Sequence, residues 1–321
     1  MSGLCRLTTR MLGSRHNQRV SSRPRHIAVA INPTAAFGKN RGAGAAVVNA
    51  LTDAGYQVTE LQAATAELLR GKLTLALRST PDALVVVGGD GMVSMAVNAI
   101  AMTSIPLGIV PVGTGNDLAR GVGLTPGSLQ RSIAALLEAL KREPQRIDLG
   151  HITSIDHSKE RWFAGILSAG FDAVVNERAN AMRWPKGKSR YTWALLFELI
   201  ALKPLKYTLT SGGRTWDERA MLISVANNSY MGGGMYVAPD ASVTDGLLDI
   251  FVLRPLSKLR FLRLFPRVFA GTHVTEPEVV IERTTEVILG GEGIVAYADG
   301  ERVWELPLRV TVVPAAVRVH V

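Results

Sequence analysis

Apolar residues follow two rhythms along this chain, and the change from one to the other divides it. From 26 to 148, short unbroken apolar runs alternate with longer stretches carrying apolar residues at helical spacing. The run 26–31 (HIAVAI) predicts a strand, closed by Asn32-Pro33 and a loop through Gly38, and the Ala-rich stretch 43–54 predicts a helix. A strand at 56–61 (YQVTEL), a helix at 64–77 and a strand at 83–87 (ALVVV) follow. The last is apolar on both faces, which suits a parallel strand buried between helices. After Gly88-Gly89-Asp90-Gly91 come a helix to about Ile100, a strand at 106–110 and a second glycine turn at 112–115. This alternation predicts a parallel α/β sheet whose C-terminal strand ends share one edge, so both glycine turns are expected to face one cleft.

Beyond 150 the rhythm changes. Short apolar stretches at 162–168, 207–210, 220–226, 247–253, 286–289 and 308–313 are separated by Gly, Asp, Asn and Pro turns, which predicts an antiparallel β domain. Helical segments are expected at 191–202 and 256–269. With 321 residues and 47% hydrophobic content, two domains are expected: 26–148 (α/β) and 149–321 (β-rich), the last strand being free to return to the first domain.

Residues 1–25 form a basic segment with Arg6, Arg10, Arg15, Arg19, Arg23 and Arg25 and no acidic residue, which contributes much of the net charge of +9. It reads as a disordered tail, a transit peptide or a start-site artefact. The single cysteine, Cys5, forms no internal disulfide and fits a reducing compartment. No secretory signal and no apolar run of membrane-spanning length is evident, so a cytoplasmic protein with peripheral membrane contact is expected. No aromatic-interleaved basic sheet or helix-turn-helix pattern calls for nucleic acid. An exposed sheet edge would allow a homodimer.

Neither GxxxxGK[ST] nor a GxGxxG in its proper context is present, since Gly42-Ala43-Gly44 falls in a helix start. The segment GGDGMVSMAVNAI does follow a buried strand. Its glycines let backbone N–H groups approach phosphate oxygens, and the next helix adds a favourable dipole. Asp90 within it suits either a bound Mg²⁺ or a tight Asp-Gly turn. The second loop, PVGTGNDLAR, packs Thr114, Asn116 and Asp117 among glycines; Thr114 suits a nucleotide contact, and Asn116 and Asp117 suit either the site or a helix cap.

Five segments occur in order: GGDG, GTGNDLAR, SAGFDA, GGGMYVAPDASVTDGLLDI and YADGE. Together they resemble the diacylglycerol kinase catalytic-domain family, over about 26–321; the GGDG loop is more distantly similar to that of NAD kinases and phosphofructokinases. The resemblance implies an N-terminal α/β nucleotide-binding domain with a C-terminal β-sandwich-like domain and a cleft between them. It implies ATP and Mg²⁺, and transfer of phosphate to diacylglycerol or to another lipid alcohol such as sphingosine, ceramide or phosphatidylglycerol. Gly88, Gly89, Asp90, Gly91, Met92, Val93 and Ser94 correspond to the ATP phosphate loop, and Thr114 and Thr59 to nucleotide contacts. Asp299 corresponds to the general base, with Glu301 beside it as a magnesium-linked or supporting carboxylate. Ser242, Asp245 and Leu247 correspond to a structural magnesium site, and Asp90, Asp117 and Asp172 to a magnesium and water network.

One position departs from the pattern: the family's usual Thr after GGDG is Met92 here, which predicts weakened or retuned nucleotide affinity, or a catalytically weak regulatory protein. Two segments, 258–269 and 183–191, interleave basic and bulky apolar residues, as a helix seated at an anionic membrane or packed on its own domain would.

Overall fold

The computed structural model describes residues 25–32, 42–170 and 203–321. The helix expected at 191–202, the basic segment 183–191, Asp172 and the arginines before Arg25 lie outside the described residues. The first layer alternates β1 (His26–Ile31), α1 (Ala43–Asp53), β2 (Gln57–Gln62), α2 (Ala66–Leu77), β3 (Ala83–Gly88), α3 (Asp90–Ile100) and β4 (Leu107–Pro111), followed by α4 (Asp117–Gly121) and α5 (Leu129–Ala139). The strands pair in parallel in the order β2-β1-β3-β4. Every residue of β3 is buried, as its unbroken apolar run requires when helices cover both faces. Thr65 and Ser128 start α2 and α5 by accepting the N–H groups of Leu68 and Arg131.

The rest of the chain supplies β5 (Gln145–Ser154), β6 (Glu160–Phe163), β7 (Ile166–Ala169), β8 (Leu205–Ser211), β9 (Arg214–Ala220), β10 (Leu222–Ala226), β11 (Tyr230–Met231) and β12 (Met235–Tyr236). Then come β13 (Leu248–Leu253), α6 (Lys258–Val268), β14 (Val279–Thr284), β15 (Glu286–Gly290), β16 (Val295–Ala298), β17 (Glu301–Glu305) and β18 (Leu308–His320). An antiparallel sheet in the order β14-β13-β10-β7-β16-β17 stacks on the strands β5, β15, β18 and β8. Between them lies a core that includes Phe163, Leu167, Tyr207, Val225 and Val310. The protein is thus an N-terminal α/β layer carrying a C-terminal β sandwich.

β18 ties the two together. Its first half runs antiparallel to β5 and β15, and its end, at Val319 and His320, joins β4 in parallel. The register shifts between Val313 and Val317, where Ala315 has a φ of 54°. There the buried Asp148 carboxylate accepts the N–H groups of Ala315 and Gly246, both at 2.8 Å, pinning the bulge to the loop before β13.

The expected division at 148/149 falls inside β5, which pairs along its length with β18. One expectation fails here. The expected strand 162–168 is two strands, β6 and β7, in different sheets. The break at Ala164-Gly165 turns out to belong to the site.

Candidate active site

The two glycine loops touch. A Cβ added to Gly113 would sit 2.2 Å from Gly89 Cα, so only glycine at both positions lets the loop after β3 meet the loop after β4. Asp90 is not in a tight turn: it opens α3, with Gly89 at the cap. Its carboxylate crosses to the second loop, Oδ2 accepting the Asn116 N–H at 2.8 Å and Oδ1 the Asp117 N–H at 2.6 Å. Asn116 occupies the cap position of α4 with a φ of 58°, but its side chain caps nothing. Its amide instead closes the loop, accepting the Gly113 N–H and donating to the Gly113 carbonyl, each at 3.0 Å.

Asp117 continues the chain of contacts into the sandwich. Its two oxygens accept the Gly233 N–H at 3.0 and 3.1 Å. Burial, and then the nearby Asp90 charge, push its carboxyl up to about 7, against the opposing pull of the Gly233 hydrogen bond and Arg120.

Asp299 comes from the other side. It and Gly300, with φ of 52° and 79°, form the two-residue turn between β16 and β17. Both positive angles are those a tight hairpin demands, so Asp-Gly serves the turn while the aspartate side chain reaches the β6–β7 break. Its Oδ2 accepts the Ala164 N–H at 3.0 Å and its Oδ1 the Gly165 N–H at 2.9 Å. A side chain at 165 would collide with Oδ1, since its Cβ would lie 2.5 Å away, which is why the β6–β7 break carries a glycine. Burial pushes the Asp299 carboxyl up to about 6; the two N–H donors oppose the shift, Asp90 adds to it and Arg161 weakens it.

The Ala164-Gly165 peptide is itself held. Asn227, fully buried, donates through Nδ2 to the carbonyls of Asp148 and Ala164, both at 3.0 Å. The backbone N–H groups of Asn227 and Asn228 donate to the Gly165 carbonyl, and Asn228 Nδ2 donates to the Asp117 carbonyl at 3.0 Å. The carboxylate turn and the second glycine loop therefore share one support.

A cleft of about 700 Å³ opens along the two glycine loops, and Asp117 and Asp299 lie outside its lining. Gly89, Asp90, Gly91, Met92, Ser94, Gly113 and Thr114 line it, together with Arg70, Arg161, Glu301 and Trp304. Gly88 and Val93 support the loop from beneath, and Glu301 Oε1 lies 3.7 Å from where a Gly91 Cβ would be. Arg161 and Arg70 stand in no recognisable motif and escape sequence reading, and Asn98, at the far end of GGDGMVSMAVNAI, carries no signal of its own. Asn98 sets Arg161 in place by gripping the backbone of its neighbour Trp162, donating to its carbonyl at 2.9 Å and accepting its N–H at 3.0 Å. Arg161 has no carboxylate partner among the described residues; its Nε is buried without a hydrogen bond, and Nη1 reaches only the Arg302 carbonyl at 3.3 Å.

Thr59 does not join them. It lies within β2, paired in register with Ala28, and its hydroxyl bonds His26 Nε2 at 2.8 Å at the start of β1. Ligands of parallel sheets gather at the opposite, C-terminal strand ends, and Thr59 is not among the residues lining the cleft.

Met92 is 6% exposed and fills the space a side chain at Gly88 would need, its Cγ 2.5 Å from that imagined Cβ. Met92→Thr is therefore expected to destabilise the fold by about 2 kcal/mol through lost packing, whatever the hydroxyl does for ATP. Urea unfolding beside an ATP KM measurement separates the two; an unchanged unfolding midpoint would remove the packing role.

Ser242, Asp245 and Leu247 lie in the loop before β13. Asp245 Oδ1 accepts the Leu247 N–H at 3.1 Å, and Oδ2 faces Arg283 at 4.0 Å. Among the described residues no three His, Cys, Asp or Glu side chains converge to hold a metal directly, and no helix is long and apolar enough to cross a membrane.

Comparison with known proteins follows the same division. A family model for the diacylglycerol kinase catalytic domain matches residues 26–152, and one for the YegS C-terminal NAD kinase beta sandwich-like domain matches 165–321. A diacylglycerol kinase of Mycobacterium tuberculosis is 39% identical over 291 residues, covering 90% of this chain and 92% of that protein. A Xanthomonas euvesicatoria protein named "Probable lipid kinase YegS-like" is 28% identical over 246 residues, covering 74% and 78%. A crystal structure of a diacylglycerol kinase from Bacillus anthracis superposes with a TM-score of 0.68 at 18% identity, over 93% of this chain and 97% of that one, a likeness of fold.

Proposed function

The chain belongs to the diacylglycerol kinase family of lipid kinases, and from that premise we propose that it transfers the γ-phosphoryl group of ATP to the hydroxyl of diacylglycerol, giving phosphatidic acid. The observation that carries the reading is Asp299. Its carboxyl, raised to about 6, is ionised at neutral pH yet is a stronger base than an ordinary aspartate. In the proposed step Asp299 accepts the hydroxyl proton as the lipid oxygen bonds to the γ-phosphorus, and the bond from that phosphorus to the bridging oxygen breaks to release ADP. The N–H groups at the start of α3, ahead of its first internal hydrogen bonds, offer donors to the nucleotide phosphates, with Thr114 alongside. Arg161, which has no carboxylate partner among the described residues, lines the same cleft as a cation for the transferring phosphoryl group.

Mg²⁺ keeps several waters and takes one or two carboxylates plus phosphate oxygens. The adjoining Asp90 and Asp117 fit that requirement, with Glu301 beside Gly91; the ion would neutralise charge on the phosphates. The Asp245 loop fits a second, structural ion through one carboxylate and the carbonyls of Ser242 and Leu247. Chelation with EDTA, without nucleotide, should lower the melting temperature of the wild type and not that of Asp245→Asn; equal behaviour would remove that ion.

The testing experiment is labelled phosphate transfer from Mg·ATP in mixed micelles to diacylglycerol, with sphingosine, ceramide, phosphatidylglycerol and NAD in parallel. Label in phosphatidic acid supports the reading. Label only in another lipid keeps the mechanism and moves the acceptor, an outcome that the likeness to YegS-like lipid kinases favours as the second reading. No transfer to any acceptor would point to a regulatory protein.

A further inference from the structure

The helix α6 is apolar on two faces, and the sandwich uses only one. Phe261, Leu264 and Phe265 are buried against the outer side of the second sheet, in a cluster with Phe251, Leu253 and Val279. Leu259, Leu262 and Phe269 are 61%, 43% and 48% exposed, three of the seven exposed large hydrophobic residues among the described residues. At 3.6 residues per turn these three and the exposed Pro266 fall within about 80° of one another.

Charge borders the stripe on both sides. On the same wheel Lys258 lies about 20° beyond one edge and Arg263 about 40° beyond the other. Neither has an ion-pair partner among the described residues, whereas Arg260 and Arg267, further round, are neutralised by Glu276 and Glu278. The segment 258–269 contains no acidic residue. Phe269 is braced edge-on against Phe265, with ring centroids 5.8 Å apart, so the stripe is part of a packed element.

We propose that this face of α6 docks the protein on an anionic lipid bilayer, with Leu259, Leu262, Pro266 and Phe269 entering the acyl boundary and Lys258 and Arg263 meeting headgroup phosphates. The occupant is a bilayer because the exposed face is apolar at its centre and cationic at both edges, the complement of an anionic interface. The inference deepens the lipid-kinase reading and rests on it for its purpose.

The test is co-sedimentation with vesicles of phosphatidylcholine, alone or mixed with phosphatidylglycerol. The full chain is compared with Leu259→Asp/Leu262→Asp, the milder Leu259→Ser/Leu262→Ser, and Lys258→Ala/Arg263→Ala. Wild type should bind the mixed vesicles; the leucine variants should lose about tenfold or more in partitioning, and the basic-residue variant should lose the preference for anionic lipid. Melting temperatures should match, since all the sites are exposed. Activity on diacylglycerol embedded in the vesicles should fall in parallel, while activity on a water-dispersed short-chain diacylglycerol should not. Equal sedimentation of wild type and variants, or no binding by the wild type, overturns the docking surface. So does a wild-type dimer that the leucine variants split, which would assign the face to a second copy. Absence of transfer even to the short-chain substrate defeats the diacylglycerol reading instead, leaving sedimentation to decide the surface.

Discussion

Asp299→Asn will lower kcat for phosphoryl transfer by about 10²–10⁴-fold, the usual contribution of a positioned general base, while the KM for ATP stays near the wild-type value. The asparagine keeps the size of the side chain and the hairpin turn but accepts no proton at neutral pH. The wild-type pH profile gives the same test from another side. The Asp299 carboxyl is pushed up to about 6, so it is ionised above that value and protonates as the pH falls through it. kcat/KM should therefore decline below about pH 6, by about tenfold per unit, and the residual activity of Asp299→Asn should lack that limb. If the variant retains most of the wild-type rate, or the limb persists in it, another group takes the proton.

Much of this arrangement was legible in the sequence because it is local. β3 and β4 are unbroken apolar runs followed at once by glycine turns, so their parallel pairing and shared edge follow from patterns only a few residues long. Asp299-Gly300 was readable as a hairpin turn, and the turn forms, its positive φ values pointing the carboxylate at the β6–β7 break. Asn116 and Asp117 were equally readable as helix caps; here other partners won, Asn116 closing its own loop on Gly113 and Asp117 turning to Gly233 across 116 positions.

What stayed hidden depends on contacts distant in the chain. The stretch 162–168 has the composition of one strand, and nothing within it announces that a carboxylate 134 residues further on needs the Gly165 N–H. Arg161 looks like any polar position of a strand until Asn98, 64 positions earlier, fixes its neighbour's backbone. The expected 148/149 boundary follows the change of rhythm, which marks where helices stop, whereas β5 crosses that point to pair with β18. Thr59 was assigned by correspondence to a motif position, and its hydrogen bond to His26 places it away from the strand ends.

Arg161 then carries the second large effect. Arg161→Ala should reduce kcat/KM by about 10²–10³-fold, the range found when one donor to a developing charge is removed from a preorganised site. Arg161→Lys should recover part of it, since a lysine restores charge but not the planar fork. A loss of this size could also come from a disturbed strand, and the pH profile separates the two causes. The positive charge of Arg161 lowers the proton affinity of Asp299, so its removal must move the acid limb of the profile to higher pH. The lysine variant should bring the limb back toward the wild-type position. A variant that loses rate with the limb unmoved would mean that Arg161 only supports the backbone of β6. One that loses rate and shifts the limb puts the guanidinium beside both the base and the phosphoryl group it serves.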